Sequence, residues 1–375
     1  MGGHYEYADA LPRGALRGRG AGLNPGNRFE SVRLHVLGEQ LDEAAQQAQQ
    51  EGQAKLATQV LADHSRTLIN RVDHRKSPDI GYDWTINPYR GCEHGCIYCY
   101  ARPTHEYFGL SCGVDFETRI FAKHDAPELL ARELAKPSWR GEPIIMSGVT
   151  DPYQPVEARL GITRGCLEIM ARCRQPVGLI TKNRLVLRDL DLLHELATHR
   201  AVSVAVSVTT LDAKLAAKME PRASSPRDRL AAVARLRAAG VPVRVMMAPI
   251  IPGLNDREIP RVLQAAHEAG AMQASYVLLR LPYQLKDLFL EWLKRHVPQR
   301  AKHVESLIRD TRNGRLYESA WSVRHRGRGA VAQQIEQVFA LFRRRYGLDQ
   351  KIPPLSSASF RPPAPSNGQL GLFDG

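Results

Sequence analysis

Cys92-Glu-His-Gly-Cys96-Ile-Tyr98-Cys99 is the stretch that decides the fold, because it holds three of the chain's 6 cysteines in one short loop. The spacing is C-x3-C-x2-C. Three thiolates this close can ligate three corners of a cubane [4Fe–4S] cluster and leave the fourth iron free to bind a small molecule. Electron-transfer ferredoxins normally close all four corners with cysteine, so this loop predicts chemistry rather than electron transport.

Two other interpretations of the loop stay open at this point. The three cysteines could form a Cys3His zinc site with His94 or His105, since zinc accepts tetrahedral sulfur and nitrogen ligands. Zinc sites usually pair C-x2-C with a second pair, whereas the remaining cysteines are scattered at Cys112, Cys166 and Cys173. Disulfides are disfavoured because close neighbours in one loop are difficult to bridge. The iron–sulfur interpretation is therefore favoured.

The loop resembles the signature of the radical S-adenosylmethionine (SAM) superfamily, in which an aromatic residue precedes the last cysteine, as Tyr98 does here. The resemblance implies that Cys92, Cys96 and Cys99 hold a [4Fe–4S] cluster and that Tyr98 lies in the cofactor site. It also implies that SAM binds the open iron and is cleaved reductively to a 5′-deoxyadenosyl radical. A flavodoxin or ferredoxin is the reductant that the superfamily implies.

Composition limits the possible settings and partners. The 375 residues are 43% hydrophobic, which is enough for a large core, and the formal net charge is +13. An excess of positive charge attracts polyanions, so nucleic acid is a candidate partner. No apolar run approaches the roughly 18 residues of a membrane span. Unpaired cysteines and an oxygen-sensitive cluster predict a cytoplasmic protein.

Strands and helices alternate along the central part of the chain. Apolar, β-branched runs occur at 85–87, 117–123, 143–147, 177–181, 202–209, 241–251 and 275–281, with amphipathic segments at 126–136, 164–172, 188–199 and 226–239. This alternation predicts βαβ units and a parallel sheet. The predicted fold class is α/β, a partial (β/α)6 TIM-type radical SAM barrel with a basic N-terminal extension and a small helical C-terminal region.

Functional residues of such barrels lie on loops at the carboxyl ends of the strands. Two stretches resemble the spore photoproduct lyase-like branch of the superfamily, namely Asn87–Tyr107 around the cysteines and Ser147–Glu157 after the next strand. The similarity covers about residues 80–285. It implies that Ser147, Lys182 and Ser207, each at a strand end, contact SAM.

One feature departs from that branch. Photoproduct lyases return a hydrogen atom to the repaired thymine from a cysteine near the SAM site, but Met146 and Ser147 occupy the corresponding strand end here. The reaction on spore photoproduct itself is therefore in doubt. Candidates for a catalytic hydrogen-atom donor are one thiol and three phenols: Cys112, Tyr100, Tyr107 and Tyr153.

Four regions are predicted. Residues 1–80 form a basic, partly disordered extension, residues 81–285 the barrel, residues 286–350 a basic helical region, and residues 351–375 a Pro/Ser-rich flexible tail. The tail contains Gln369-Leu-Gly-Leu-Phe373, which resembles the peptide that bacterial proteins insert into the β sliding clamp. The predicted clamp-binding residues are Gln369, Leu370, Leu372 and Phe373.

The sequence thus predicts a radical SAM enzyme that acts on DNA, either in lesion repair or in base modification. Two alternatives stay open. One is a radical SAM enzyme that modifies RNA or a small molecule. The other is a zinc-containing nucleic-acid-binding module without catalytic activity.

Overall fold

The computed structural model describes residues 18–29, 56–75 and 81–363, and in these ranges six parallel strands form the main sheet. They are β3 (Trp84–Ile86), β6 (Ile144–Met146), β7 (Val177–Thr181), β8 (Val202–Ser207), β9 (Val243–Ile250) and β10 (Gln273–Leu278). The spatial order is β10-β9-β8-β7-β6-β3, and β2 (Asn70–Arg71) pairs antiparallel with β3 at the edge. The predicted partial (β/α)6 barrel is confirmed.

Residue type decides which face of a strand points inward. In β8 the valines at 202, 204 and 206 join the core under the helices, whereas Ser203, Ala205 and Ser207 alternate with them and face the barrel interior. Gly178 of β7 lies between the Ile145 side chain and the Ser203 hydroxyl. Small residues therefore line part of the interior of the barrel.

Helices cover the outer face of this sheet. The longer ones between strands are Ala126–Leu134, Ile162–Cys173, Leu190–Thr198, Pro226–Ala238 and Ile259–Glu268. Pro226–Ala238 begins where the Ser225 hydroxyl accepts a hydrogen bond from the Asp228 amide, with proline at the first helical position. After β10 the chain forms the helices Leu285–His296, Ala301–Asp310, Trp321–Arg324 and Gly329–Arg345, as predicted for a helical C-terminal region. Shorter helices are Asp115–Thr118, Glu157–Leu160 and Ala213–Met219, with 3₁₀ turns at Arg102–Phe108, Arg184–Asp189 and Asp256–Glu258.

The prediction of a barrel strand over 117–123 is wrong. In the described residues, β5 (Arg119–Ala122) belongs to a separate three-stranded sheet, parallel to β1 (Gln59–Ala62) and antiparallel to β4 (Tyr89–Arg90). An apolar pattern identifies a strand but not its partner, and here a strand from the N-terminal region supplies the partner.

Both chain extensions contact the barrel. Arg19, in the predicted basic extension, is 8% exposed and donates to the carbonyl oxygens of Glu117 and Leu56. Near the other end, the segment Ser356–Arg361 packs at the amino-terminal side of the sheet rather than forming the expected flexible tail. The Arg361 amide donates to the Cys173 carbonyl, and the Phe360 ring lies against Gly141. The predicted clamp-binding residues lie outside the described residues.

No helix in the described ranges is both long enough and apolar enough to cross a membrane.

Candidate active site

The cysteine loop follows β4 and lies at the carboxyl ends of the barrel strands. Cys92 and Cys96 are buried, Cys99 is half-buried, and all three are free thiols. The pKa values of Cys96 and Cys99 are raised, first by burial and then by charged neighbours that include the other cysteines of the loop. The three thiols are thus close enough to influence one another, and binding iron would replace their protons.

Two glycines allow the loop to bend. Gly91 (φ 76°) and Gly95 (φ 65°) adopt left-handed backbone conformations that glycine accepts most readily. A Cβ at Gly95 would lie 2.6 Å from Oε2 of Glu117, and a Cβ at Gly20 would lie 1.8 Å from the Gly95 carbonyl oxygen. The N-terminal segment therefore packs directly against the cysteine loop.

An ion pair beneath the loop fixes its backbone. Arg102 donates to the carbonyl oxygens of Cys96 (2.9 Å) and Gly95 (3.1 Å) and also to the Glu117 carboxylate. Glu117 in turn accepts the backbone amides of Gly20 (2.9 Å) and Ala21 (2.8 Å). The Gly95 and Cys96 carbonyls of the loop are thus already hydrogen-bonded, whereas the cysteine thiols stay available to a cofactor.

Tyr98 is held by a second buried network. Its hydroxyl donates to the Glu220 carboxylate, which also accepts hydrogen bonds from Thr209 and Arg229. The Lys182 ammonium lies 5.9 Å from the centre of the Tyr98 ring. The structure thus brings together Tyr98 and Lys182, two of the residues predicted to bind SAM.

Asp151 links the ends of β6 and β7. Its carboxylate accepts the Thr181 hydroxyl (2.8 Å) and the Lys182 amide (2.8 Å), and it lies 3.3 Å from Nδ1 of His94. Burial opposes protonation of His94, but the Asp151 carboxylate overrides it and raises the pKa of His94 to about 9. The strand-end loop is therefore tied to the cysteine loop through His94.

The two predicted serine contacts occupy different environments. Ser147 is half-buried at the end of β6, has φ 117°, and donates its hydroxyl to the Thr150 carbonyl (3.0 Å). Ser207 is buried and donates to the Ala248 carbonyl (3.2 Å), while its own carbonyl accepts from Arg229. Both serines face the same end of the barrel as the cysteines, and their role as SAM contacts stays a prediction.

The candidate hydrogen-atom donors are placed very differently. Burial raises the pKa of Cys112 to about 12, and its side chain lies in an apolar cluster. Tyr153 is packed in the core beneath the helices. Neither group can reach a substrate at the open end. Tyr100 is 49% exposed, and its hydroxyl donates to the Gly148 carbonyl (2.5 Å), next to Ser147. Tyr107 is 71% exposed on the 3₁₀ turn that follows the loop.

A multi-iron cluster fits these cysteines better than a single zinc ion does. No three His, Cys, Asp or Glu side chains among the described residues are placed to hold one metal ion. His105 is enclosed by Phe108, Phe116 and Phe121, and its Nε2 lies 2.9 Å from the Arg119 carbonyl oxygen. A cubane instead spreads three thiolates over three irons. Cys92, Cys96 and Cys99 are therefore the residues that would hold it.

Sequence reasoning missed the supports of this site. Three carboxylates outside the cysteine motif hold residues near the predicted cofactor site. Glu117 binds Arg102, Glu220 binds Tyr98, and Asp151 binds the backbone amide of Lys182. Asp151 lay within a quoted stretch and could have been assigned. Glu220 follows the helix Ala213–Met219 rather than a strand end, so the strand-end rule gives no signal for it.

The fold and site together define a partial (β/α)6 barrel enzyme with a three-cysteine cluster site. A family model described as Radical SAM superfamily matches residues 86–266. The chain belongs to the radical SAM superfamily. Members of the superfamily use a [4Fe–4S] cluster and SAM, and the three cysteines of the loop, with Tyr98 and Lys182 beside it, fit that pair of cofactors.

Relatives and solved structures agree with this assignment. An uncharacterized protein of Mycobacterium tuberculosis is 36% identical over 246 residues, which cover 65% of this chain and 72% of the relative. A radical SAM Nalpha-GlyT isomerase of Pseudomonas phage M6 is 23% identical over 234 residues, covering 60% and 46%. The structure of spore photoproduct lyase complexed with dinucleoside spore photoproduct has a TM-score of 0.54 and 15% identity, covering 76% of this chain and 79% of that one. The chain thus has the fold of the spore photoproduct lyase-like branch.

Proposed function

We propose that this radical SAM enzyme acts on DNA, abstracting a hydrogen atom from a nucleotide in lesion repair or base modification. The observation that carries the proposal is the guanidinium of Arg280 at the open end of the barrel, which forms no ion pair with a carboxylate among the described residues. Arg280 follows β10, and its only hydrogen bond among the described residues joins it to His325 at 3.0 Å. Its guanidinium lies 5.0 Å from the Tyr100 ring, directly beside the cysteine loop.

A second guanidinium strengthens this charge. Arg312 is 1% exposed and donates to the backbone carbonyls of Leu279, Val323 and Arg324. Burial and the neighbouring Arg280 lower the pKa of Arg312 to about 10, and Glu318 offsets this only in part. The backbone carbonyls satisfy Arg312, whereas the half-buried Arg280 keeps a charge with which a phosphate of a bound substrate would pair.

The similar proteins support the same class of substrate. One of the solved structures with this fold is that of spore photoproduct lyase complexed with dinucleoside spore photoproduct. The chain's net charge of +13 would favour association with any polyanion, DNA included.

Each part of the site has a role in this proposal. When bound, the cluster and SAM supply a 5′-deoxyadenosyl radical. Cys92, Cys96 and Cys99 hold the cluster, and Lys182, Ser147 and Ser207 position SAM beside Tyr98. The Tyr100 hydroxyl, at the Gly148 carbonyl, is the proposed hydrogen-atom donor to the substrate radical, because Cys112 and Tyr153 are buried.

Anaerobic turnover tests the substrate class. The reconstituted enzyme is incubated with SAM and reductant, and 5′-deoxyadenosine is measured with DNA, with RNA and with neither. DNA should stimulate the release of 5′-deoxyadenosine, and deuterated DNA should transfer deuterium into it. Tyr100→Phe should still cleave SAM but should form less of the DNA product. Stimulation by RNA alone, or by neither polymer, would contradict the DNA proposal.

The proposed setting is the cytoplasm, with a flavodoxin or ferredoxin as reductant and the β sliding clamp as a partner through residues 369–373. A synthetic peptide of residues 365–375 should bind purified clamp. The same peptide with Leu372→Ala and Phe373→Ala should not bind. Equal binding by the two peptides would remove the clamp from the proposal.

A further inference from the structure

The exposed aromatic side chains of the described residues gather at one end of the barrel. Seven large hydrophobic side chains are exposed in the described ranges, and the five aromatic ones are Phe29, Tyr100, Tyr107, Phe108 and Tyr283. They lie on the N-terminal segment, on the stretch after the cysteine loop and on the loop after β10. All three segments meet at the carboxyl end of the sheet, where the cofactor site lies.

Arginines contact these rings in two groups, which the short stretch of chain from Arg280 to Tyr283 connects. We call this surface the aromatic–arginine strip, and it consists of Tyr100, Arg280, Tyr283, Arg28, Phe29 and Tyr107. The Arg28 guanidinium lies 3.7 Å from the Tyr283 ring centre and 5.0 Å from that of Phe29. The Phe29 and Tyr107 rings stack with centres 5.2 Å apart and planes at 26°. At the other end, Arg280 lies over Tyr100, beside the cysteine loop.

A buried carboxylate holds the strip in place. Glu106 accepts the Arg28 Nε (2.6 Å), the Arg28 amide (3.1 Å) and the Gln284 side chain (2.8 Å), and its carbonyl accepts Asn27 (2.7 Å). Tyr283 is held at φ 52°, which is uncommon for a bulky residue. The three segments are therefore fixed relative to one another, and the rings stay exposed although their supports are buried.

We infer that the aromatic–arginine strip binds an unpaired stretch of DNA and leads one nucleotide to the cofactor site. Exposed ring faces can stack on bases only where the bases are not already stacked within a duplex, and neighbouring guanidiniums suit the phosphates between them. Tyr107 and Phe29 would hold bases farthest from the cysteines, and Arg280 would hold a phosphate nearest to them. This inference rests on the proposed DNA substrate and specifies the form of DNA that is bound.

Binding by the full-length holoenzyme tests the inference. Fluorescence anisotropy is measured with a labelled single strand of about 12 nucleotides, within the range that such grooves cover, and with the duplex of the same sequence. Tyr107→Ala and Tyr283→Ala should each weaken single-strand binding about tenfold, because each removes one stacking platform. Tyr107→Phe should bind as the wild type does. Leu341→Ala, which truncates an exposed apolar side chain on the helix Gly329–Arg345, is the matched control and should have no effect.

The outcomes separate the strip from the proposed function. If both alanine variants bind single-stranded DNA with wild-type affinity while DNA still stimulates release of 5′-deoxyadenosine, the strip does not bind the DNA. The proposal that DNA is the substrate would be unaffected. Absence of any DNA binding or DNA-dependent turnover in the wild type would overturn both. Binding of duplex as tight as that of the single strand would overturn the requirement for unpaired bases. Loss of binding to anionic lipid vesicles, but not to DNA, in the alanine variants would assign the strip to a membrane surface instead.

Discussion

The guanidinium of Arg102 lies 2.5 Å from the carboxylate of Glu117, and both side chains are completely buried beneath the cysteine loop. A buried ion pair is tolerated when further hydrogen bonds satisfy both partners. Here Arg102 also donates to loop carbonyls, while Glu117 also accepts the amides of Gly20 and Ala21. The pair thus connects the cysteine loop to a segment far away in sequence.

Glu117→Gln should lower the free energy of unfolding by about 3–5 kcal/mol, because it leaves the Arg102 charge buried without a counter-charge. Urea denaturation of the apoprotein measures this change. Lys136→Met is the control, because its partner Glu133 lies 4.0 Å away and Lys136 is 59% exposed. That variant should lose less than about 1 kcal/mol. Equal losses in the two variants would mean that the buried pair has no special structural role.

Replacement of Cys92, Cys96 or Cys99 by alanine should abolish cluster binding, since each thiolate ligates a different iron. Iron and sulfide analysis after anaerobic reconstitution, together with visible absorbance, reports the cluster independently of turnover. Cys166→Ala, at a buried cysteine outside the loop, should retain full iron content. Stoichiometric zinc in place of iron in the wild type would contradict the cluster assignment.

Two substitutions at Ser147 separate backbone strain from ligand binding. Ser147→Gly loses the hydrogen bond to the Thr150 carbonyl but relieves the strain of φ 117°, so it should be more stable than Ser147→Ala. Ser147→Ala keeps the strain and loses the hydrogen bond to Thr150, so it should be less stable by about 1 kcal/mol. If the hydroxyl contacts SAM, both variants should bind SAM equally weakly in calorimetry. Unchanged affinity in both would remove Ser147 from the SAM site.

Lys182→Met should weaken SAM binding to the reconstituted enzyme by about 10- to 100-fold, the range expected for loss of one charge-assisted hydrogen bond. Methionine keeps a side chain of similar length without the charge, so cluster content should not change. Lys214→Met, at an exposed helical position, is the control for the loss of a positive charge. Similar affinities for the two variants would show that the Lys182 ammonium does not bind the cofactor.

His105 should make the apoprotein less stable in mild acid. Burial lowers the pKa of His105 from 6.5 to about 4. The unfolded chain therefore binds more protons than the folded one between these values, and stability falls as the pH drops through this window. The loss between pH 7 and 5 should be about 2 kcal/mol. Urea denaturation at the two pH values should show a smaller change in the free energy of unfolding for His105→Phe than for the wild type. His64→Phe, at an exposed position, is the control and should behave as the wild type does. If His105→Phe keeps the full change, His105 is not its cause.

The sequence predicted most of the barrel because its strands are continuous apolar runs separated by amphipathic helices. It could not assign Arg119–Ala122 to the right sheet, since β1, the parallel partner, comes from a region without a clear apolar pattern. It also predicted a flexible tail where Phe360 packs against Gly141. A Pro/Ser-rich composition predicts disorder, but composition does not show that one aromatic side chain, Phe360, packs against a complementary surface at Gly141.

The candidate site was predictable as far as local motifs reach. The cysteine spacing predicted the cluster residues, and the strand-end rule predicted Lys182, which lies beside Tyr98. Glu220 and Arg102 were not found because their roles depend on contacts across the fold. Tyr153 was considered as a donor because it lies in a strand-end loop, but its neighbours place it in the core. Sequence position alone does not show which way a side chain points.

The bonds from Glu117 to the amides of Gly20 and Ala21 span 97 and 96 residues of the chain. Closing a loop of that length costs roughly 4 kcal/mol of chain entropy beyond the constant term. Such non-local contacts form late in folding, after the strands that bring their ends together. The geometry of the cysteine loop therefore depends on residues at the start of the chain as well as on the loop's own sequence.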